Sequence, residues 1–454
     1  MKLPQAFIDC TAPLLGDAFS SFVESLSTIS PSSIRINLAK TDAVLSYAKV
    51  PWCSTGHYLS QRPSFTLDPL LHAGVYYVQE AGSMFLEQVL TQLVHKPATM
   101  LDLCAAPGGK ATHLISLLPK DSMLIANEFV RSRAYILAEN LQKWGNPNVL
   151  VSNNSPADFS ALKGFFDHIL VDAPCSGEGM FRKDPKAIDE WSPANVSQCV
   201  RRQQSLLQEV WPALKTNGLL IYSTCTYNRE ENELMVLWMK EALGAELVRI
   251  KIDEAWGVTE TDAGYRFYPH KTKAEGFFMA VLRKTQEENT LKIKQDKQPD
   301  KPSKQQTDLL GYLLNSEDYT LVSTKEKVWA VPSIYADKMN FLQKKMKLIY
   351  AGIPLADIKG KDLIPDTGLA LSTALNRAQC VSVDVDWQTA IAFLRTENIV
   401  LTDMPKGFVL ICYKGFPLGW VKNLGNRCNV LYPSEWRIRM QLPKDAVDPN
   451  NLRL

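Results

Sequence analysis

Two cysteines stand where short apolar runs give way to turns: Cys175 in Val171-Asp-Ala-Pro-Cys-Ser-Gly177, and Cys225 in Tyr222-Ser-Thr-Cys-Thr-Tyr227. A third run, Met100-Leu-Asp-Leu-Cys104, opens onto Ala-Ala-Pro-Gly-Gly-Lys110. Thiols placed this way suggest a covalent nucleophile, and a Pro-Gly-Gly turn lets backbone approach a small ligand closely. Few reactions want both, and methylation of cytosine at carbon 5 is one of them. Carbon 5 attacks a methyl sulfonium poorly until a thiolate adds to carbon 6 and turns the ring into an enamine. An acid near N3 eases that addition, and a base must later strip the carbon 5 proton so that the thiolate can leave. The chemistry therefore needs a reactive thiol, a carboxyl group such as Asp172 and a second finishing group, all beside the methyl donor.

The glycine turn narrows the ligand. Ala111 stands where a Walker loop carries its Mg-binding hydroxyl, and Cys104 where that loop has its first glycine, so a phosphate cradle is not expected. Nor is the turn Gly-x-Gly-x-x-Gly. Glu128 follows about twenty residues on, at the end of the next strand, where an acid accepts from ribose hydroxyls. S-adenosylmethionine has a ribose and no phosphate and suits such a turn; at this level NAD stays open, as does a purely structural glycine turn.

These residues need a scaffold, and the surrounding pattern supplies one. Strand-like runs at 100–104, 123–128, 149–152, 168–172 and 219–223 alternate with helical stretches. The helix after Glu128 carries Ala134, Leu137, Leu141 and Trp144 at spacings of three and four. The helix before Leu219 carries Val196, Val200, Leu207, Trp211 and Leu214, with Asn217-Gly218 expected as its C-cap. Repeated strand–helix units predict an α/β fold with a doubly wound parallel sheet, whose ligands sit at the carboxyl ends of the strands. The glycine turn, Glu128, Asp172, Cys175 and Cys225 all fall at such ends.

A chain of 454 residues is long for one domain. Residues 1–75 read as a small mixed N-terminal domain, 76–284 as the core, 285–306 as a charged linker, and 307–454 as one or two small C-terminal domains. Net charge is only +2, so nucleic-acid affinity must come from local patches. The nine cysteines lack Cys-x-x-Cys spacing, which argues against a disulfide framework and against a metal site. Cys10, Cys53, Cys199, Cys380, Cys412 and Cys428 are expected to be packing residues. With neither a signal peptide nor a membrane span in evidence, a cytoplasmic monomer is the expectation.

Three stretches now carry a resemblance. Leu-Asp-Leu-Cys-Ala-Ala-Pro-Gly-Gly-Lys, Val-Asp-Ala-Pro-Cys-Ser-Gly-Glu-Gly and Tyr-Ser-Thr-Cys-Thr-Tyr resemble motifs of the NOL1/NOP2/Sun family of RNA cytosine-5 methyltransferases. Ser33-Ile-Arg-Ile-Asn37, Gly74-Val-Tyr-Tyr-Val-Gln-Glu80 and Arg266-Phe-Tyr-Pro-His270 with Gly276-Phe-Phe278 extend the match; His270 is given no catalytic role. The resemblance implies a Rossmann-like methyltransferase core flanked by a small N-terminal α/β domain and C-terminal α+β, PUA-like RNA-binding domains. It implies that Cys225 is the nucleophile, that Cys175 assists release, that Asp172 contacts base and cofactor, and that Lys110 lies near the cytosine. Cys104, Ala105, Ala106, Pro107, Gly108, Gly109, Lys110, Glu128 and Arg133 would border S-adenosylmethionine. Many relatives receive the adenine amino group on an aspartate after the third strand; here Val151-Ser-Asn-Asn-Ser155 has none, leaving Asn154 or Ser155.

The tail resembles that of the bacterial RsmF-type branch through Gly419-Trp-Val-Lys422 and Asn429-Val-Leu-Tyr-Pro-Ser-Glu-Trp-Arg437. That branch acts on 16S rRNA of the 30S subunit, and the implied target lies near the decoding centre, where methylation would alter aminoglycoside sensitivity. From 411 to 440 there are five Lys or Arg and one Glu, interleaved with Tyr413, Phe416, Trp420, Tyr432 and Trp436. That composition suits phosphate contact with base stacking, and equally a small β-rich domain packing its aromatics. Arg182, Lys183 and Lys186 would hold RNA backbone or form a solvated loop. Transfer RNA as substrate, a non-catalytic ribosome-assembly factor and a dehydrogenase are the other readings.

Overall fold

The computed structural model describes residues 2–291 and 302–442. Helices α1 (Gln5–Leu15) and α2 (Phe19–Leu26) lead into β1 (Ser32–Ile36) and β2 (Gly56–Leu59). The short α3 (Pro69–His72), started by the Asp68 carboxylate accepting from Leu70 N, precedes β3 (Tyr76–Val78). β1 pairs antiparallel with both β2 and β3, so this sheet closes just past the boundary at 75 read from the sequence.

After α4 (Leu86–Leu93) comes β4 (Thr99–Asp102), then α5 (Gly109–Leu117), β5 (Met123–Asn127), α6 (Arg131–Trp144), β6 (Val149–Ser152) and β7 (Phe166–Asp172). The helices α7 (Lys186–Glu190) and α8 (Pro193–Val210) precede β8 (Leu214–Thr224), followed by α9 (Glu233–Leu243), β9 (Ala245–Val248), β10 (Thr259–Glu260), β11 (Tyr265–Phe267) and β12 (Phe277–Lys284). Strands β8, β7, β4, β5 and β6 lie side by side in that order and run parallel; β12, β11 and β10 continue the sheet antiparallel beyond β8. The alternation of side chains decides which face each covers. Met100, Leu124, Val149, Leu170 and Ile221 join one buried cluster with α4, α5 and α6, while Leu101, Ile125, Leu150, Ile169 and Leu220 join another with α8 and α9. With both faces covered, the middles of these strands carry apolar side chains on both sides, as a doubly wound sheet demands, and their polar residues gather at the ends. The chain winds outward from β4 through β5 to β6, then returns to β7 and β8 on the other side. The crevice between β4 and β7 is therefore the switch point where such sheets bind ligands.

One expected cap is corrected. The helix before β8 ends at Val210, not at Asn217-Gly218, because Pro212 has no N–H to continue it. Asn217 (φ +64°) and Gly218 lie inside β8 instead, where the register with β7 slips between Phe166 and His168. The bulge absorbs the extra residues, and the strand resumes in time to carry Ser223 and Thr224 to its carboxyl end.

Beyond the core, β13 (Tyr319–Ser323), β14 (Lys327–Pro332), β15 (Leu348–Ala351), β16 (Ile353–Lys359) and β17 (Asp362–Pro365) give a sheet in the order β13-β14-β16-β17. β15 leaves it and pairs antiparallel with β6, extending the central sheet. The last sheet orders β18 (Ser382–Asp384), β19 (Gly407–Tyr413), β20 (Phe416–Asn423) and β21 (Cys428–Val430). Its Val409, Ile411 and Val421 share one apolar cluster with Ile34, Leu70 and Tyr76, so the two ends of the chain build a common core. Of the expected linker, 292–301 lie outside the described residues, as do 443–454 of the C-terminal region. Residues 285–291 pack on the core, where the Thr285 hydroxyl donates to Gly244 O at 2.9 Å and Leu291 N to Lys163 O at 3.2 Å. Among the described residues no helix is long and apolar enough to cross a membrane.

Candidate active site

The turn between β4 and α5 is pinned from the neighbouring strand and helix. Ala105 N donates to Asn127 O (2.8 Å), the Arg133 guanidinium to Ala106 O (3.0 Å) and the Asn140 amide to Pro107 O (2.8 Å). Gly108, at φ +119°, turns the chain into α5 in a conformation that only glycine adopts easily. Glu128 is 5% exposed just past β5; it accepts from Val130 N at 2.9 Å, and Arg133 Nη1 stands 3.6 Å from its other oxygen. Arg133 thus braces both the turn and the acid. Cys104 remains a thiol, its pKa pushed well up by burial and by Asp102 beside it.

Lys110 projects from the first turn of α5 to Asp172 at the end of β7, Nζ to Oδ2 2.8 Å, over the ring of Phe277. Ser223 at the end of β8 donates to the other Asp172 oxygen at 2.7 Å. Burial disfavours the Lys110 ammonium, yet Asp172, then Cys225 and Asp102, hold its pKa above the ordinary range. Cys175 and Cys225 meet with their sulfurs 3.1 Å apart, and Cys225 N donates to the Cys175 sulfur at 3.3 Å. The bond to Cys225, followed by burial, raises the Cys175 pKa well above its usual value, so Cys175 rests as a thiol. Both cysteines are partly exposed as residues. The four residues expected to be catalytic are thus brought together from α5, β7 and β8.

Two carboxylates that the sequence did not single out as site residues fix the cysteine turns. Glu231 accepts from Ser176 N (3.0 Å), Gln203 (2.8 Å) and Asn228 (2.8 Å); burial raises its pKa. Glu178 accepts from Tyr227 N (2.7 Å), Asn228 N (2.8 Å) and the Trp191 indole (2.9 Å). Each acid joins the loop after β7 to the loop after β8, locking one cysteine against the other. Glu178 lay in a quoted motif; Glu231 had no signal, being tied by partners from three separated stretches. Gly179 packs so closely that a Cβ would strike the carbonyls of Gly276 and Cys225.

Asp102 is the other residue the sequence reading left out. It is fully buried below the turn, neither carboxyl oxygen has a full hydrogen-bond partner, and burial, with Asp172 next, pushes its pKa up to about 8. A buried acid without a partner calls for an explanation, and a cationic ligand above the turn provides one. Asp102, Glu128 and Asp172 around one crevice fit a small molecule with positive charge and ribose hydroxyls, as S-adenosylmethionine has.

Other expectations shift. Asn154 exchanges both amide bonds with the Lys347 backbone, at 3.0 and 3.2 Å, and so holds the approach to β15. Ser155 forms a capping box with Asp158, donating its hydroxyl to the carboxylate at 2.9 Å and accepting from the Asp158 backbone N–H. Arg182 pairs with Glu275 at 2.9 Å and donates to Ala274 O while bordering the groove beside Ser30 and His270; Lys183 and Lys186 are exposed. Tyr413, Trp420 and Tyr432 are buried, so packing, not base stacking, accounts for them. Cys10 is exposed and Cys380 half-buried, whereas Cys199, Cys412 and Cys428 pack as expected.

Against known proteins, residues 90–283 match the family model described as 16S rRNA methyltransferase RsmB/F. Residues 3–81 match the N-terminal domain of 16S rRNA methyltransferase RsmF, and 380–438 the methyltransferase RsmF PUA domain. The chain is 30% identical to ribosomal RNA small subunit methyltransferase F of a Shewanella species over 100% of its length and 99% of the relative's. The Enterobacter protein of the same name is 30% identical, covering 92% of each chain. A crystal structure of a methyltransferase homolog protein from Pyrococcus horikoshii, 28% identical, covers 62% of this chain and 95% of that one with a TM-score of 0.54.

Proposed function

The chain belongs to the 16S rRNA methyltransferase RsmB/F family, and from that premise we propose that it methylates carbon 5 of a cytosine in 16S rRNA through a covalent bond between Cys225 and carbon 6. The observation that carries this reading is the convergence of Cys225, Cys175, Asp172 and Lys110 beside the glycine turn. When bound, S-adenosylmethionine supplies a methyl group on a sulfonium; the Gly108 turn, Glu128 and Asp102 would hold it.

Cys225 adds to carbon 6 as the thiolate, with its proton passing to solvent. As the thiolate adds, N3 takes a proton from solvent. Asp172, fixed by Lys110 and Ser223, holds that proton by a hydrogen bond while it draws electrons out of the ring, and the proton returns to solvent once carbon 5 is methylated. Carbon 5 then takes the methyl group. Release needs a base, and Cys175 becomes one at the right moment. Its leading reason for staying protonated is the bond to Cys225, and a Cys225 sulfur bonded to carbon carries no charge and accepts weakly. Cys175 then loses its proton to solvent, takes the one on carbon 5, and the electrons of that C–H bond form the 5,6 double bond as the C–S bond breaks. The base must leave its stack to reach Cys225. A groove of about 790 Å³ lined by Ser30, Arg62, His270, Lys271 and Lys273 offers positive charge for the flanking backbone.

The test is to incubate the protein and labelled S-adenosylmethionine with unmodified 30S subunits, naked 16S rRNA and tRNA, mapping 5-methylcytosine by bisulfite sequencing. Label confined to 16S rRNA supports the reading and names the site; label in tRNA alone keeps the mechanism and overturns the substrate. No label in any RNA returns the assembly-factor reading. A target at the decoding centre adds one consequence, altered aminoglycoside susceptibility at full occupancy.

A further inference from the structure

Away from the methyl-transfer residues, three buried side chains of metal-ligating type meet at one point. Cys53 comes from the loop between β1 and β2, Glu87 from the first turn of α4, and His113 from α5, one turn after Lys110. The Cys53 sulfur lies 3.2 Å from Glu87 Oε2 and 3.8 Å from His113 Nε2, and those two atoms are 3.4 Å apart. A tetrahedral zinc ion, with bonds of about 2.3 Å to sulfur and about 2.0–2.2 Å to nitrogen and oxygen, sets its donors ~3.3–3.6 Å apart. The observed triangle has those edges to within a few tenths of an ångström. Trp52, Met84, Val89, Ala111 and Leu114 lie in the same apolar cluster as Cys53, and the buried Arg35 guanidinium stands near enough to act on Cys53, Glu87 and His113. A cysteine that merely fills space needs neither an acid nor an imidazole at its sulfur.

We propose that Cys53, Glu87 and His113 bind a zinc ion that fastens the N-terminal module to the helix of the glycine turn. The donor set selects the metal. Thiolate and imidazole suit zinc, whereas calcium and magnesium take oxygen ligands in larger shells. The thiolate and carboxylate together cancel the ion's two charges, so that the nearby buried Arg35, which donates to Gln79 and Thr112, faces a neutral centre. Ser54 N holds Glu87 Oε1 at 2.9 Å and leaves Oε2 for the ion. The Thr55 hydroxyl, 3.7 Å from the sulfur, stands ready to take the fourth position or to hold a water there. On binding, the Cys53 S–H bond is exchanged for S–Zn, His113 enters as the neutral ring, and one proton per ion leaves to solvent. The ion takes no part in methyl transfer: it joins three segments separated in sequence and so positions α5, which carries Lys110.

The experiment uses the full chain and reads metal, not activity. Metal-depleted protein is titrated with zinc against a chromophoric competitor, with proton release followed in weakly buffered solution, and cobalt(II) is then substituted. The expected result is one zinc and one proton per chain, a thiolate-to-cobalt charge-transfer band, and a raised Tm. Cys53→Ser and His113→Gln, the latter keeping a hydrogen bond to Glu87, should each weaken zinc roughly 100-fold or more. Zinc uptake equal in native protein and in the double variant, or cobalt bound without the sulfur band, would overturn the proposal. If a Cys53 or His113 variant fails to fold, the cobalt spectrum of a Cys175→Ala, Cys225→Ala chain, which keeps Cys53 and lacks the open thiol pair, decides.

Discussion

Helix α5 serves two clusters built on sulfur, and they differ in what their cysteines face. From its first turn Lys110 reaches Asp172 beside the Cys175–Cys225 pair; one turn on, His113 meets Cys53 and Glu87. The first cluster is open, with the Asp172 side chain 35% exposed; the second is closed, with His113 at 1%. Access, as much as residue type, decides what a thiol can do. An open pair flanked by a cation and an acid can admit a planar base, whereas the closed triangle has room for nothing larger than an ion. One helix thereby links a site for chemistry to a site for fastening, and the comparison makes each a control for the other.

The largest expected effect separates them outright. Cys225→Ala should lower methyl incorporation by roughly 10⁴-fold or more, the scale of losing a covalent nucleophile. Cys175→Ala should form the carbon 6 adduct and fail to release it, giving an RNA–protein band that survives denaturing electrophoresis. Adding Cys53→Ser to Cys175→Ala should leave that band in place and appear instead in the melting temperature. Loss of the trapped band in the folded double variant would break the division between the two clusters.

Next in size is the frame of the open cluster. Glu178→Ala strands the amides of Tyr227 and Asn228 and the Trp191 indole, all buried, and should cost about 3 kcal/mol in denaturant unfolding. Because those amides follow Cys225, trapping in a Cys175→Ala background should slow as well. Full-speed trapping would mean that the cysteine pair holds its geometry without the carboxylate.

How legible this was from sequence depends on how local each signal is. The parallel sheet and α6 were legible because alternation and 3.6-residue spacing are short-range patterns, and Ala134, Leu137, Leu141 and Trp144 are all buried. The cysteine turns were legible because Pro-Cys and Thr-Cys stand directly at strand ends. What escaped is what tertiary contact alone defines. Cys53, Glu87 and His113 come from three elements with no motif spacing, so Cys53 read as packing. Glu231 gains its role from Ser176 and Gln203, and β15 joins β6 from almost two hundred residues away, an approximate span set by Ser152 and Leu348. The tail stayed undecided for a related reason: a composition shared by RNA surfaces and small β cores does not reveal which way Trp420 points.

A smaller effect probes the unspent acid of the open side. Asp102 keeps its proton up to about 8 when folded and to about 3.8 when unfolded. Between those values the folded state binds more protons, so its contribution is full below the lower value and is lost as pH rises through the window. Asp102→Asn should flatten the fall in Tm between pH 5 and pH 8 by about 4 °C. Saturating S-adenosylmethionine should flatten it in the native chain, since a cation beside the acid favours its ionised form. An unchanged slope on adding the ligand would place the acid outside the cofactor site.

The smallest effect decides between two neighbours past β6. Asn154 spends its amide on the Lys347 backbone, so Asn154→Ala should cost about 1–2 kcal/mol of stability and loosen β15, with the KM for S-adenosylmethionine nearly unchanged. Ser155 caps the turn that follows and spends nothing on the Lys347 backbone, so Ser155→Ala should raise that KM a few-fold at a cost of about 1 kcal/mol in stability, leaving β15 in place. The reverse pattern would return the adenine contact to Asn154, and would mean that the Lys347 bonds open when the ligand binds. That outcome would couple the cofactor site to β15, and through it to the C-terminal sheets, giving the open cluster a mechanical link of the kind that the closed cluster gives to the N-terminal side.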